Sequence, residues 1–153
     1  MVCHGNICRS PLAKGIMIKK IHEQGIKNTE VDSAGTSGQH VGEPPDARTI
    51  ANGLKHGVDV SSYKARQFKS ADFESFDRIY VMDSANYADL MLLVENDEQR
   101  NKVKLFLEAA YPGSRASVPD PWYGAEGGFE EVYKILDKAC TVVVKEVKKG
   151  MLP

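Results

Sequence analysis

The sequence is short of the features that mark membrane proteins and nucleic-acid binders. No apolar run approaches the ~20 residues that a membrane-spanning helix needs, and the first residues do not have the pattern of a signal segment. Lys and Arg number 20 and Asp and Glu number 21, so the formal net charge is only −1. A nucleic-acid binder normally carries a basic surplus. We therefore expect neither nucleic acid nor a membrane as a partner.

Cysteine is scarce as well. There are three, Cys3, Cys8 and Cys140, which is an odd number and too few for a disulfide framework. Such usage is typical of a reduced cytosolic protein, so we expect a cytoplasmic location. Cys140 lies on an apolar helical stripe and is expected in the core.

Metal-ligand spacing is also missing. His4, His22, His40 and His56 are scattered along the chain. Cys3, His4 and Cys8 lie too close together in sequence for a convincing zinc site. We therefore expect neither a metal nor an organic cofactor.

What is present is the alternation of β-like runs and helical patterns. The 153 residues are 42% hydrophobic, which fits one domain spanning residues 1–153. Short apolar runs predict strands at residues 29–34, 78–82 and 103–106. Helical periodicity predicts helices from Pro11 to Gly25, from Asp46 to about His56, from Ser84 onward and from Phe129 to Val147. The alternation predicts an α/β fold with a doubly wound parallel sheet and helices on both faces.

The most informative segment is the run from Cys3 to Ser10, here called the anion loop. Its position between the start of the chain and the first helix predicts backbone N–H groups converging on one point, which is an anion site. Gly5 and Asn6 tolerate the unusual dihedrals of a tight loop. Arg9 adds a planar set of donors that matches the oxygens of a phosphate.

The same surroundings act on Cys3. A helix N-terminus and a guanidinium favour the thiolate form of a nearby cysteine, and Ser10 can donate a hydrogen bond to its sulfur. A thiolate held against a bound phosphate is a nucleophile aimed at phosphorus. A Cys six residues before an Arg is a weak signal, but the whole string is a much stronger one.

That string, which reads Cys-x-Gly-Asn-x-Cys-Arg-Ser-Pro from Cys3 to Pro11, resembles the signature of the low-molecular-weight protein tyrosine phosphatases. Further blocks at residues 32–36, 42–46, 65–67, 82–83 and 120–124 resemble the family's blocks and occur in the family's order. Together they cover nearly the whole chain. The resemblance implies a four-stranded parallel sheet of the phosphotyrosine protein phosphatase I type.

The resemblance also implies roles for single residues. Cys3 would form a phosphocysteine intermediate, Arg9 would bind phosphate and stabilise the transition state, and Asp120 would act as general acid and then general base. The remaining roles would be shared: the phosphate would be bound by His4, Gly5, Asn6, Ile7, Cys8 and Ser10, the cleft would be walled by Trp122 and Tyr123, and the loop would be supported by Ser33 and Tyr63.

Several of these residues have simpler interpretations. Asp120 before Pro121 is also a common turn start, and Trp122 and Tyr123 are open to a packing role. Arg66 and Asp83 are expected in a structural ion pair or network rather than in catalysis. The spacing of Cys3 and Cys8 gives the hypothesis of a reversible disulfide that protects Cys3 from over-oxidation.

Three positions depart from the family pattern. Only Met1 and Val2 precede Cys3, so we expect either an unusually short first strand or a sequence that lacks its natural first residues. Gln39 and His40 stand near the place where many relatives have an aromatic wall residue. Tyr63 replaces a histidine of the loop-supporting network, and we expect its hydroxyl to serve instead.

Four functions follow from these observations. The leading hypothesis is hydrolysis of phosphotyrosine in proteins, with inorganic phosphate and similar oxyanions as inhibitors. A protein-arginine phosphatase typically has Thr at the position of Ile7, whose branched apolar side chain suits a phenyl ring better. Arsenate reductases need further cysteines, and residues 71–110 have none. The last alternative is a phosphate-binding module without turnover.

Overall fold

A computed structural model describes residues 1–124 and 127–150, apart from the side chain of Tyr123. Its sheet has four strands in the order β2-β1-β3-β4, and every neighbouring pair is parallel. The strands are β1 Val2–Cys3, β2 Ala34–Gly35, β3 Ile79–Val81 and β4 Val103–Leu105. This topology confirms the predicted four-stranded parallel sheet.

Seven α-helices alternate with these strands within the described residues. They are α1 Arg9–Glu23, α2 Ala47–Lys55, α3 Asp72–Ser75, α4 Ser84–Met91, α5 Asp97–Lys102, α6 Phe106–Ala110 and α7 Gly127–Lys148. Asp46 caps α2 by accepting a hydrogen bond from the N–H of Arg48, as the sequence predicts. Asp83 and Asn86 form a reciprocal capping box at the start of α4. None of the helices in the described ranges is long and apolar enough to cross a membrane.

Helices cover both faces of the sheet, because successive side chains of a strand point to opposite sides. Cys3, Tyr80 and Met82 face a core that α1, α6 and α7 close. Val2, Ile79 and Val81 face a second core on the other side, built with Phe73 of α3 and Leu90 of α4. The doubly wound arrangement is therefore confirmed, and strands buried on both faces explain the continuous apolar runs in the sequence.

The predicted strand at residues 29–34 is wrong over most of its length. Only Ala34 and Gly35 are in the ladder, because β1 offers only Val2 and Cys3 as pairing partners. The central strand of this chain accordingly comprises only Val2 and Cys3.

The carboxyl ends of the strands meet at one edge, where open parallel sheets bind ligands. Cys3 ends β1, and Met82 and Asp83 follow β3 directly. The N–H of Val118 donates to the carbonyl of Met82 at 2.7 Å, which brings the segment before Asp120 to the same edge. A cavity of about 590 Å³ lies elsewhere, beside Met1, Arg66 and Val147, and no residue of the anion loop lines it.

Candidate active site

The anion loop turns its carbonyl groups outward. The carbonyls of Cys3, His4 and Ile7 accept hydrogen bonds from the N–H groups of residues 36, 37 and 46 at 2.8 to 2.9 Å. Among the described residues, no N–H group from positions 4 to 8 has a protein acceptor. A loop with its carbonyls bonded outside and its N–H groups free, leading directly into α1, is built to receive an anion.

Asn6 holds the shape of this loop. Its φ is 57°, in the left-handed region that asparagine tolerates better than most residues. Its amide nitrogen donates to Ser10 Oγ at 2.7 Å and to Ser33 Oγ at 3.0 Å, and its oxygen accepts from the N–H of Arg66 at 3.0 Å. The two contacts with serine are buried and the contact with Arg66 is part-buried, so Asn6 joins the loop to the residue before β2 and to the segment beyond α2.

Gly35 allows the close approach between β2 and the anion loop. A Cβ atom at this position would lie 2.7 Å from the carbonyl oxygen of His4 and 3.1 Å from the nitrogen of Asn6. Any larger residue would therefore push the loop away from the sheet.

Cys3 and Ser10 lie together beneath the loop. Cys3 Sγ is 3.0 Å from Ser10 Oγ, and both residues are buried. Ser10 Oγ accepts from Asn6, and its own proton has two acceptors within reach, Cys3 Sγ at 3.0 Å and the carbonyl oxygen of Ala34 at 3.4 Å. This geometry provides the hydroxyl donor that the sequence suggested for a Cys3 thiolate.

The other two cysteines, Cys8 and Cys140, are buried thiols. All three are free in the structure. Burial raises the pKa of the Cys8 thiol to about 12, and burial also raises the pKa of Cys140 far above its usual range. Both therefore remain protonated near neutral pH, and Cys140 lies in the core of α7, as expected.

Arg9 is a buried arginine that reaches two carboxylates. Its Nη1 donates to Asp83 Oδ2 at 2.7 Å and to the carbonyl of Val118 at 3.0 Å, while its Nη2 lies 3.4 Å from Asp120 Oδ2. The Arg9 side chain is only 3% exposed. A guanidinium fixed on one side by Asp83 keeps its orientation toward the anion loop.

Asp120 reaches this arginine from an exposed loop, residues 119–124, here called the Asp120 loop. Its side chain is 33% exposed, and its Oδ1 accepts from the N–H of Trp122 at 3.0 Å. Pro121 opens a short 3₁₀ turn, so the turn interpretation of this residue pair also holds. The structure thus brings Asp120 to Arg9 of the anion loop, although the two are 111 positions apart in the sequence.

Trp122 and Tyr123 were expected to form one wall of the cleft, and the structure describes the side chain of Trp122 alone. Trp122 is 42% exposed and is therefore not a packing residue. His40 lies with its ring centre 6.2 Å from that of Trp122, and its Cδ2 would lie 3.0 Å from a Cβ on Gly5. His40 Nδ1 is bonded to Glu43 Oε2 at 2.6 Å. The side chain of Tyr123 lies outside the described part of the structure.

The remaining predicted residues divide. Ile7 and Cys8 are buried in a small cluster with Ala65 and Phe129, whereas the His4 side chain is exposed. Tyr63 does not reach the anion loop: within residues 1–124 and 127–150 its hydroxyl has no hydrogen-bond partner, and its ring lies under the Lys14 ammonium at 4.3 Å. The expectation that the Tyr63 hydroxyl supports the anion loop is therefore wrong. The Tyr63 ring instead packs against the Lys14 side chain.

Two expected structural residues do form ion pairs, though not with each other. Arg66 bonds Asp32 and Asp72, each at 3.0 Å, while Asp83 bonds Arg9. Within the described ranges, no group of three or more His, Cys, Asp or Glu side chains is arranged to hold a metal.

The sequence did not point to the carbonyl of Val118 or to Arg48. Val118 is an apolar residue whose contribution is a main-chain oxygen. Arg48 lies near Trp122 and Phe129, and no local pattern connects it with that distant part of the chain. The available hint was that Arg48 follows the predicted helix cap Asp46 by two positions.

Comparison with known proteins gives one consistent result. The model of the family described as low molecular weight phosphotyrosine protein phosphatase matches residues 1–151. The chain is 39% identical over 147 residues to the human low molecular weight phosphotyrosine protein phosphatase, covering 95% of this chain and 92% of the human protein.

Solved structures agree. A protein tyrosine phosphatase of Entamoeba histolytica with Hepes in its active site aligns with a TM-score of 0.89 and 36% identity, over 99% of this chain and 96% of that one. A Drosophila arginine phosphatase aligns with a TM-score of 0.87 and 27% identity, over 96% and 95%. The fold is thus common to proteins described as acting on two different phosphorylated residues.

Proposed function

Since this chain belongs to the low-molecular-weight phosphotyrosine protein phosphatase family, whose members are hydrolases, we propose that it hydrolyses phosphotyrosine in proteins by way of a phosphocysteine on Cys3. The observation that supports the proposal is that the loop bearing Cys3 and Arg9 is approached by Asp120, whose Oδ2 lies 3.4 Å from Arg9 Nη2. These three residues supply a nucleophile, an anion-binding fork and a titratable carboxyl group within one site.

The first step forms the phosphocysteine. The Cys3 thiolate attacks phosphorus, a sulfur–phosphorus bond forms, and the bond from phosphorus to the phenolic oxygen breaks. Asp120 gives its proton to that oxygen, so tyrosine leaves neutral. Ser10 stabilises the thiolate before attack by hydrogen bonding to its sulfur.

Charge on the transferring phosphoryl group is met by fixed donors. In this proposal the three equatorial oxygens accept hydrogen bonds from the free N–H groups of the anion loop and from the guanidinium of Arg9. They need little rearrangement, because Asn6 and Asp83 already hold the loop and the guanidinium in place. Donors that are organised before the reaction are the main source of electrostatic stabilisation in enzyme sites.

The second step returns the enzyme to its starting state. Asp120, now a carboxylate, takes a proton from a water molecule that attacks phosphorus. The sulfur–phosphorus bond breaks, phosphate leaves and Cys3 is again a thiolate. Inorganic phosphate and similar oxyanions would compete for the same loop, and the Hepes in the active site of the Entamoeba enzyme supports this.

The preference for phosphotyrosine rests on the walls and on Ile7. His40 lies next to Gly5 of the anion loop, its ring centre is 6.2 Å from that of the exposed Trp122, and the proposal is that these two rings flank the phenyl ring of the substrate. Ile7 in the loop is apolar and offers no hydrogen bond to the guanidinium of a phosphoarginine. A phosphoserine side chain is shorter and leaves these walls without a partner.

Steady-state hydrolysis of matched phosphotyrosine, phosphoarginine and phosphoserine peptides tests the proposal. We expect turnover on phosphotyrosine that Cys3→Ser abolishes and that Cys140→Ala, the control for loss of a buried thiol, retains. A preference for phosphoarginine would refute the argument from Ile7. Binding of the peptides without turnover by folded protein would favour a phosphate-binding module.

A further inference from the structure

Arg48 is a charged side chain beside the site that the mechanism above leaves unused. It lies in the first turn of α2, and its guanidinium carbon is 5.5 Å from the ring centre of Trp122 and 4.6 Å from that of Phe129. Both distances lie within the ~6 Å over which a cation is attracted to an aromatic face. Trp122 belongs to the Asp120 loop and Phe129 to the first turn of α7, so Arg48 contacts both.

The guanidinium is itself fixed. Arg48 Nε and Nη2 donate to the two carboxylate oxygens of Asp46, each at 3.0 Å. Asp46 is in turn fixed, since its Oδ1 caps α2 and its N–H donates to the carbonyl of Ile7 at 2.8 Å. A continuous set of contacts therefore runs from the anion loop through Asp46 and Arg48 to Trp122.

The Asp120 loop has few other attachments. Apart from the 3.4 Å contact between Arg9 Nη2 and Asp120 Oδ2, its hydrogen bonds are local ones, from the N–H of Trp122 to Asp120 and from the N–H of Gly124 to the carbonyl of Pro121. The Trp122 ring is well exposed, and the His40 ring lies with its centre 6.2 Å away. An exposed ring with so few contacts would sample several rotamers without a further partner. Arg48 is the contact among the described residues that ties this ring to α2.

We propose that Arg48 is a positioning residue, which holds Trp122 against α2 and thereby keeps Asp120 at the distance from the anion loop that proton transfer requires. The inference rests on the proposed role of Asp120 as general acid. A planar guanidinium suits this position because it can bond a carboxylate in its plane and stack on rings with its faces, which an ammonium cannot do.

One consequence separates positioning of an acid from a general structural role. Protonation of the leaving oxygen matters greatly for a basic phenolate and little for a weakly basic one. Loss of Arg48 should therefore lower kcat/KM about tenfold for phenyl phosphate but change it less than about twofold for p-nitrophenyl phosphate. A role in attracting acidic substrates would instead raise KM alike for all aryl phosphates.

A second readout needs no catalysis. Trp122 is the single tryptophan of the sequence, so its fluorescence reports on the Asp120 loop alone. In Arg48→Gln the acrylamide quenching constant of Trp122 should rise and its anisotropy should fall, with an intermediate result for Arg48→Lys. Arg100→Gln is the matched control, because Arg100 is an exposed helical arginine paired with a carboxylate, Asp97, at 2.6 Å. It should leave both readouts unchanged.

The experiment compares wild type, Arg48→Gln, Arg48→Lys, Arg100→Gln and Asp120→Asn by both readouts, with unfolding curves to show that each is folded. We expect Asp120→Asn to steepen the dependence of kcat/KM on leaving-group basicity strongly and Arg48→Gln to steepen it in part. If Asp120→Asn steepens it and Arg48→Gln changes neither slope nor fluorescence, the inference about Arg48 is overturned alone. If Asp120→Asn has no effect on the slope, the general-acid proposal fails and the positioning role falls with it.

Discussion

The anion loop and the Asp120 loop form one candidate site, but the first is buried and the second is exposed. Cys3, Asn6, Arg9 and Ser10 are each at most 3% exposed, and buried hydrogen bonds connect Cys3, Ser10 and Asn6. Asp120 is one-third exposed, and its neighbour Trp122 is 42% exposed. The first loop is thus part of the folding core, whereas the second is a surface loop attached at a few points.

This difference follows from what each part has to do. Donors for a phosphoryl group act best when they are fixed and shielded before the substrate arrives. A general acid next to the leaving group must stay near the surface, because a tyrosine on a protein has to enter and leave past it. The comparison predicts that substitutions in the anion loop lower both stability and activity, while those in the Asp120 loop lower activity alone.

The largest effect on stability is expected from Arg9→Met. This change leaves the Asp83 carboxylate and the Val118 carbonyl without their buried partner, so the free energy of unfolding should fall by about 3 to 5 kcal/mol, and turnover should be lost. Arg100→Met removes an ion pair of similar length on the surface and should change stability by less than about 0.5 kcal/mol. Denaturant unfolding measures both. Equal effects for the two variants would contradict the account.

Asn6→Ala should follow, with a loss of about 2 to 3 kcal/mol from the missing hydrogen bonds and from an alanine held at positive φ. Asn28→Ala isolates the second contribution, because Asn28 has a φ of 59° and is exposed. Its expected cost is about 1 kcal/mol. Thermal or denaturant unfolding gives the difference between them, which reports the hydrogen-bond network. A difference near zero would show that the network does not stabilise the loop.

Asp120→Asn should reverse the pattern. The residue is exposed and the amide oxygen can still accept from the N–H of Trp122, so stability should change by less than about 0.5 kcal/mol. Turnover of a phosphotyrosine peptide should fall by about 10² to 10³. Asp89→Asn, on the exposed side of α4, is the control and should affect neither quantity. A large loss of stability in Asp120→Asn would place this loop in the folding core after all.

The smallest effect concerns Asp46. The hydrogen bond from Arg48 is the main cause that lowers the pKa of the Asp46 carboxyl below its usual value. Because the folded-state pKa is depressed, the stabilisation is present above the unfolded value of about 3.9 and is lost as the pH falls through the folded value. An NMR titration should therefore show the Asp46 pKa rising in Arg48→Gln. An unchanged pKa would mean that Arg48 is not held by this carboxylate in solution.

The extent to which the sequence predicted this site follows the same division. The anion loop is contiguous, so Cys3, Asn6, Arg9 and Ser10 could be recognised together, and Asp46 could be recognised as a helix cap from its own turn. The partners of Arg9 could not, because Asp83 and Val118 come from other strands and loops, and Val118 contributes only a carbonyl. Tyr63 was misplaced for a similar reason: Lys14 covers its ring, and no local pattern shows that contact.

The two strand predictions differed in outcome for a physical reason. Residues 79–81 pair with β4 at all three positions and with β1 at Val81, whereas residues 29–33 lie beside a central strand of only two residues and stay outside the ladder. An apolar pattern indicates which residues are buried, but it does not show whether a neighbouring strand is long enough to pair with them. The sequence indicated only that His40 stands where many relatives have an aromatic wall residue. Its position over Gly5 depends on how its own loop folds back across the anion loop.

The most direct test of this account is to separate the two loops chemically by quenching Asp120→Asn during turnover of p-nitrophenyl phosphate. p-Nitrophenolate leaves without a proton, so the anion loop alone should transfer the phosphoryl group, and hydrolysis should then stall without the general base. The account predicts that mass spectrometry finds a phosphoryl group accumulating on the peptide that contains Cys3. A phosphoryl group found on another residue would contradict this. So would the absence of any phosphoenzyme in Asp120→Asn when the wild type is active.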